Sequence, residues 1–111
     1  MTFSRSFIVQ AGAALSVLLC LAISPLHAQS VEQTYKAKCA MCHGADGKGD
    51  TPAGKNMGAH SFSSPEVKKE SDVELEGIIA KGKNKMPSYA SRLKENEIKE
   101  LAAYVKQLGS K

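Results

Sequence analysis

Hydrophobic residues recur at helical spacing in three stretches of the chain. The first stretch predicts a helix from Val31 to about Met41. The second helix begins after Ser71 and stops at Gly82, and the third runs roughly from 97 to 108. Apolar side chains three or four positions apart share one face of a helix, whereas the period-two alternation of a half-buried strand extends over no useful length here. The pattern predicts an all-α domain with three main short helices.

Capping signals mark the ends of these helices. Ser30 followed three residues later by Gln33, and Ser71 followed by Glu74, are both capping-box pairs. Gly109 comes directly after the last apolar position of the third helix, where a helix-ending glycine is expected. The sequence therefore predicts two capping boxes and one glycine stop.

Two segments between the helices are typical of loops. Five glycines lie between His43 and Ala59, interspersed with Asp, Thr and Pro, which favour turns. A second turn, from Lys81 to Lys85, contains three lysines and leads into Met86. We expect long loops at both places.

The first 28 residues have a different composition from the rest of the chain. They contain 18 of the 47 hydrophobic residues, with a single charge at Arg5, an apolar run over 11–23 and the small residue Ala28 at the end. This is the tripartite pattern of a secretory signal peptide. The run is short for a membrane span, which needs ~20 residues. We predict a signal peptide over 1–28, with an uncleaved N-terminal anchor as the alternative.

Residues 29–111 are then expected to form one exported, periplasmic domain with no stable membrane span. Val, Ile, Leu and Phe supply only 12 of these 83 residues, so the apolar core is small. Small domains often need a disulfide, a metal or another staple. The net charge of the whole chain is only +4, which disfavours nucleic-acid binding. A polytopic membrane protein and a multi-disulfide scaffold are excluded.

The candidate chemistry lies in the segment Cys39-Ala40-Met41-Cys42-His43. C-x-x-C-H is the attachment signature of c-type haem. Cysteines three residues apart can both reach the vinyl groups along one porphyrin edge, while the next residue, His43, offers its imidazole to the iron. The alternatives are a redox dithiol, which belongs near a βαβ pattern, and a zinc site that would need further ligands such as His60. We predict one haem c, bound covalently through Cys39 and Cys42.

Met86 is the candidate for the second axial ligand of the iron. Electron-transfer haem proteins commonly use His and Met, and the thioether raises the reduction potential. Pro87 restricts the backbone of Met86 to extended conformations, which suits a rigidly held ligand. Met57 and His60 are the alternatives, while Met41 is expected on a helix face. The predicted metal ligands are His43 and Met86.

At these residues the sequence resembles the small class I c-type cytochromes, the soluble bacterial and photosynthetic monohaem proteins. Residues 39–49 match the haem-binding start of that family, 85–87 match its distal-ligand turn, and 97–105 match its closing helix. The resemblance implies a cytochrome c-type fold, in which the first and third helices cross near their ends and long loops wrap one haem. It also implies that a loop carbonyl near Pro52 orients His43 through its ring N–H.

One position departs from that family pattern. The family often has Ser or Thr as the helix cap where this chain has Lys94. We therefore expect Asn96 to cap the third helix, which would start later than in the family.

The predicted function is one-electron transfer between redox partners, cycling Fe(II) and Fe(III). With both axial positions filled, no open site remains for a substrate, so the protein is not expected to be an enzyme, and nothing in the sequence indicates an obligate oligomer. Three alternatives stay open: a haem enzyme or gas sensor with a labile sixth site, a structural metal-binding module, and a dedicated cytochrome subunit of a dehydrogenase or oxidase.

Charge in the loops predicts how such partners would dock. Five lysines lie in loops expected to surround the haem edge, namely Lys48, Lys55, Lys81, Lys83 and Lys85. An acidic segment is expected on the opposite face, with Glu66, Glu70, Asp72, Glu74 and Glu76. This separation predicts a molecular dipole that steers the lysines onto an acidic partner.

Overall fold

The computed structural model describes residues 26–111, with side chains from residue 30 onward. Six helices follow one another: α1 (Leu26–Lys38), α2 (Ala40–His43), α3 (Pro52–Met57), α4 (Pro65–Lys69), α5 (Asp72–Lys81) and α6 (Glu95–Gly109). Within residues 26–111 the only β pairing is an isolated antiparallel bridge between Lys83 and Met86. The all-α prediction is confirmed, and α1, α5 and α6 are its three main helices.

The first helix begins earlier and ends earlier than predicted. Ser30 lies inside α1, where its carbonyl accepts a hydrogen bond from the Thr34 hydroxyl at 2.9 Å. The predicted capping box of Ser30 and Gln33 is therefore wrong. Most of the predicted signal peptide, residues 1–25, lies outside the described residues. The predicted cleavage point after residue 28 falls within α1.

The second predicted helix is confirmed at both ends as α5. The Ser71 hydroxyl accepts from the Glu74 backbone N–H at 3.2 Å, and the Glu74 carboxylate accepts from the Ser71 backbone N–H at 2.7 Å. At the other end, Gly82 has φ 77° and its N–H donates to the Ile78 carbonyl at 2.8 Å. The capping box and the glycine stop lie where the sequence placed them.

The third predicted helix, α6, is longer than expected. It begins at Glu95, and the Glu97 carboxylate accepts from the Lys94 backbone N–H at 2.7 Å. Asn96 lies in the first turn of α6, so its predicted role as cap is wrong. The start of the helix is set by Glu97, whose carboxylate accepts from the Lys94 backbone N–H. Gly109 is the last helical residue and not the residue beyond the helix, and a side chain there would collide with the Phe62 carbonyl.

The glycine-rich stretch and the segment after it contain two short helices that the pattern did not predict. In each, a proline follows a capping hydroxyl: Thr51 caps α3 and Ser64 caps α4. Proline at the first helical position loses no hydrogen bond, because that N–H has no partner within a helix. Two sequence signals for helix starts were therefore available, Thr51-Pro52 for α3 and Ser64-Pro65 for α4.

The core lies where α6 packs against α1 and α5. Its buried side chains are Tyr35, Phe62, Leu75, Ile79, Leu93, Ile98, Leu101, Ala102, Val105 and Leu108. Tyr35 and Leu101 are each only 1% exposed. The Tyr35 ring meets that of Tyr104 edge-on at 5.1 Å, which fastens α1 to α6. The predicted contact between the first and third helices is confirmed.

In the part of the chain from Leu26 to the C-terminus, none of the helices has the length and apolar character that a membrane span requires.

Candidate functional site

The two cysteines lie one helical turn apart, at the break between α1 and α2. The Cys39 N–H donates to the Tyr35 carbonyl at 2.8 Å, and the Cys39 carbonyl accepts from the N–H groups of Cys42 and His43 at 3.2 and 2.9 Å. Both cysteines are partly buried and free, with no disulfide between them. Burial raises the pKa of the Cys39 thiol to about 11. The site thus presents a thiol at Cys39 that is protonated at neutral pH, one turn from the free thiol of Cys42.

The imidazole of His43 lies against the core. Its ring centroid is 4.8 Å from that of Phe62. Burial lowers the pKa of His43, which favours the neutral form that binds metals. Its Nδ1 is buried and has no hydrogen-bond partner among the described residues. The expected bond to a carbonyl near Pro52 is therefore not formed.

Thr51 connects the glycine-rich loop to the segment between Cys39 and His43 through the hydrogen bonds of its hydroxyl. Its hydroxyl lies 2.7 Å from the Met41 carbonyl and 2.9 Å from the Cys42 carbonyl, and accepts from the Gly54 N–H at 2.9 Å. Gly54 has to be glycine, because a side chain there would collide with the Cys42 carbonyl. Sequence reasoning missed Thr51 at the site; its only signal was the capping position before a proline.

Tyr35 supports the same turn from inside the core. Its hydroxyl donates to the Gly44 carbonyl at 2.6 Å, one residue after His43. Burial raises the pKa of the Tyr35 hydroxyl, so it stays a donor throughout the physiological range. This hydrogen bond joins α1 to the turn that follows His43.

Met86 closes a tight turn that follows α5. The Lys83 N–H donates to the Met86 carbonyl at 3.2 Å, and the Met86 N–H donates to the Lys83 carbonyl at 2.9 Å. Asn84, within the turn, has φ 54°. The Met86 side chain is partly buried and packs against the core.

The competing candidates for the second axial ligand are more exposed. Met57 is 42% exposed, and Met41, which was expected on a helix face and not as a ligand, is 77% exposed. His60 is also exposed. Among these four side chains, Met86 is the one held against the core.

The segment after Met86 is tied to two helices. The N–H groups of Tyr89 and Ala90 donate to the carbonyls of Ile79 and Ala80, both at 3.1 Å, at the end of α5. The Tyr89 hydroxyl donates to the Lys38 carbonyl at 3.0 Å, at the end of α1. The distal turn is therefore joined directly to the last residue of α1, which immediately precedes Cys39.

The loop lysines fall into two places. Lys85 Nζ donates to the Asn56 carbonyl at 3.4 Å, which brings the distal turn next to Lys55 at the end of α3. Lys48 instead lines a cleft of about 460 Å³ together with Ala45, Asp46, Ser61, Ser63, Leu108 and Lys111. None of the four predicted haem-binding residues lines that cleft.

The zinc alternative finds no support in this arrangement. From Leu26 to Lys111, no group of three or more His, Cys, Asp or Glu side chains is arranged to hold a metal ion. Cys39, Cys42 and His43 lie on one short stretch of chain and have no fourth ligand beside them.

Comparison with known proteins identifies the family. The family model described as cytochrome c oxidase, cbb3-type, subunit III matches residues 27–105. The chain belongs to the cytochrome c family. This family carries covalently bound haem c, and Cys39, Cys42 and His43 supply its C-x-x-C-H motif.

Cytochromes of the c6 type are among its relatives. A cytochrome c6-like protein of Nostoc sp. (strain PCC 7120) is 35% identical over 80 residues, covering 72% of this chain and 69% of that protein. A cytochrome c6 of the same organism is 38% identical over 74 residues, covering 64% of this chain and 61% of that protein. The solved structure of the KustC0563 c-type cytochrome aligns with a TM-score of 0.64 at 30% identity, covering 69% of this chain and 94% of that chain. The cytochrome c-type fold is thereby confirmed.

The residues present fit a haem of this type. Two free thiols lie one turn apart, an imidazole whose burial favours the neutral form follows them, and a thioether is held against the core. The chain thus functions as a haem c electron carrier, in agreement with its cytochrome c6 relatives.

Proposed function

We propose that this cytochrome is a periplasmic one-electron carrier whose haem c is bound through Cys39 and Cys42, with His43 and Met86 as axial ligands. The observation that carries the proposal is the contrast between Met86 and its competitors. Met86 packs against the core, whereas Met57 and His60 face solvent. The residues packed around a buried thioether can hold its sulfur at a metal site, whereas an exposed thioether has no such packing to hold it.

The haem supplies the exchange of one electron between Fe(II) and Fe(III). The chain supplies the environment of that exchange. The apolar core against which Met86 packs would lower the polarity near a bound haem, and a thioether ligand would favour the ferrous state; both effects would tune the potential. With two protein ligands in place, no coordination position is left for a substrate, so we expect a carrier and not an enzyme.

Charge separation along α5 supports docking to acidic redox partners. The helix begins with Asp72 and Glu74 and ends with Lys81, about 14 Å away at 1.5 Å per residue. Lys81, Lys83 and Lys85, which we call the distal lysines, are exposed beside the Met86 turn. A positive patch next to a redox centre raises the encounter rate with acidic partners. This enhancement weakens as the salt concentration increases.

The proposed location rests on the N-terminal sequence. Residues 1–28 have the pattern of a signal peptide, and haem c attachment at a C-x-x-C-H motif fits an exported domain over 29–111. N-terminal sequencing of the protein purified from the periplasm is expected to begin near Gln29. A purified protein that keeps residue 1 would favour the anchored alternative.

A second candidate function is suggested by the matching family description, which names subunit III of a cbb3-type oxidase. In that case the protein would stay bound to one large complex and would not diffuse between partners. Purification from native membranes and periplasm at moderate salt separates the two: a free monomer supports the carrier, and co-purification with an oxidase supports the subunit.

The visible absorption spectrum of the exported protein tests the proposal. Oxidised and reduced spectra of the c type, with haem that resists extraction by acidified acetone, are expected for the wild type. Substitution of both Cys39 and Cys42 by serine is expected to abolish the unextractable haem. A colourless exported wild-type protein, made in cells with a working haem-attachment system, would contradict the proposal.

A further inference from the structure

The Tyr89 side chain joins two segments that are 51 residues apart in sequence. Its hydroxyl donates to the Lys38 carbonyl at 3.0 Å. Lys38 is the last residue of α1, and the final carbonyls of a helix lack partners within the helix. Tyr89 therefore satisfies an acceptor that lies directly before Cys39.

Elsewhere the Met86 segment is bonded to the end of α5 and, through Lys85 Nζ at 3.4 Å, to the Asn56 carbonyl in α3. The Tyr89 and Ala90 N–H groups bond to carbonyls of Ile79 and Ala80, and the Ser88 hydroxyl also donates to the Ala80 carbonyl. These bonds fix where the segment leaves α5. They do not fix its distance from the segment that carries Cys39, Cys42 and His43.

The Tyr89 ring is itself well placed. It is partly buried and packs against the core, and the Arg92 guanidinium lies 5.7 Å from its centroid. The Leu93 and Arg92 N–H groups donate to the Tyr89 carbonyl at 3.0 and 2.9 Å. The hydroxyl is thus presented from a ring fixed by packing and from a backbone fixed by hydrogen bonds, so its bond to Lys38 constrains the segment.

We propose that Tyr89 is a positioning residue for the axial ligand: its hydrogen bond to the Lys38 carbonyl holds the Met86 segment against the end of α1, next to Cys39, and so limits how readily the Met86 sulfur leaves the iron. This inference rests on the proposed function, since it requires Met86 to be the ligand. It adds a residue that the C-x-x-C-H and Met-Pro motifs do not contain.

Imidazole binding to the ferric holoprotein measures this directly, because imidazole displaces an axial thioether. Tyr89→Phe removes the hydroxyl and keeps the ring. Net hydrogen-bond strengths predict that the apparent dissociation constant for imidazole falls about two- to tenfold in this variant. Tyr104→Phe is the matched control, since it removes a second partly buried tyrosine hydroxyl and keeps the ring contact with Tyr35. The control is expected to bind imidazole as the wild type does.

Two results would overturn the proposal. One is an unchanged imidazole affinity in Tyr89→Phe, and the other is an equal change in Tyr104→Phe, which would reveal only a general loss of stability. If Tyr89→Phe gives no holoprotein, proton NMR of the ferrous wild type replaces it. Nuclear Overhauser contacts between the Tyr89 ring protons and the backbone protons of Lys38 and Cys39 are expected, and their absence would overturn the proposal.

The failure of this inference differs from failure of the proposed ligand. If Met86→Ala leaves the sulfur-to-iron absorption band in place, Met86 is not the ligand and the proposed function is at fault. If that band disappears in Met86→Ala while Tyr89→Phe behaves as the wild type, only the role of Tyr89 is refuted.

Discussion

Gly82 and Met86 lie so close that a side chain at the glycine has no room. A Cβ atom built on Gly82 would stand 2.5 Å from the Met86 carbonyl oxygen and 3.0 Å from the Ser88 nitrogen. Gly82 also has φ 77° and ψ 168°, a backbone conformation that is essentially restricted to glycine. The end of α5 and the placement of Met86 thus depend on the same residue.

Gly82→Ala is therefore expected to disturb the distal turn. We predict a loss of about 1–3 kcal/mol in the free energy of unfolding, together with a weakened sulfur-to-iron band in the oxidised spectrum. Gly77→Ala is the control, because a Cβ there meets no atom within 4 Å and alanine favours a helix interior. Denaturant unfolding of both holoproteins checks the prediction; equal stability of the two variants would contradict it.

The capping box of α5 predicts a dependence on pH. The backbone N–H of Ser71 is the main cause of the lowered pKa of Glu74, which the Ser71 side chain lowers further. A lowered folded-state pKa means that the stabilisation by Glu74 is complete above its ordinary value of 4.5 and is lost as the pH falls through the folded-state pKa. Glu74→Gln should thus be less stable than the wild type at neutral pH, and the gap should narrow on acidification.

Thermal unfolding of the wild type and Glu74→Gln, followed from neutral pH down to about pH 3, measures that gap. Parallel pH profiles for the two proteins would mean that Glu74 contributes no titrating stabilisation.

Leu101 lies at the centre of the contact between the main helices. It is 1% exposed, so truncation leaves a cavity in the core. Leu101→Ala is expected to lower the free energy of unfolding by about 2–5 kcal/mol. Val73→Ala serves as the comparison, since Val73 is 76% exposed and little buried surface is lost. Similar losses in the two variants would contradict this description of the core.

The distal lysines predict how electron transfer responds to salt. Changing Lys81 and Lys83 to glutamine should lower the second-order rate with an acidic redox protein by up to about tenfold at low ionic strength, and flatten its salt dependence. Changing Lys68 and Lys69, which are exposed in α4, to glutamine is the control, because it removes the same charge at another place on the surface. Equal effects of the two double variants would show that net charge, and not the distal patch, governs the encounter.

The sequence predicted the parts of the fold that depend on local signals. The apolar stripes placed the main helices, and Ser71 with Glu74 fixed the start of α5 correctly. The predicted helix ends were wrong where contacts with distant parts of the chain, and not the local pattern, determine the structure. Gly109 belongs to α6, where a side chain would collide with the Phe62 carbonyl, and Ser30 lies inside α1, which begins at Leu26.

The candidate site divides in the same way. Cys39, Cys42, His43 and Met86 follow from motif spacing, since their chemistry is carried by adjacent residues. The groups that hold them come from distant positions: Thr51 reaches Cys42, Tyr35 reaches Gly44, and Tyr89 reaches Lys38. Hydrogen bonds from side chains to distant carbonyls leave no periodic pattern, so the sequence alone could not reveal them.

The oxidised visible spectrum of Met86→Ala, recorded beside that of Met57→Ala, tests the central claim most directly. We predict that both variants retain covalent haem, that the weak far-red sulfur-to-iron band is lost in Met86→Ala, and that it remains in Met57→Ala. A band that persists in Met86→Ala, or that disappears in Met57→Ala, would contradict the proposed ligation by His43 and Met86.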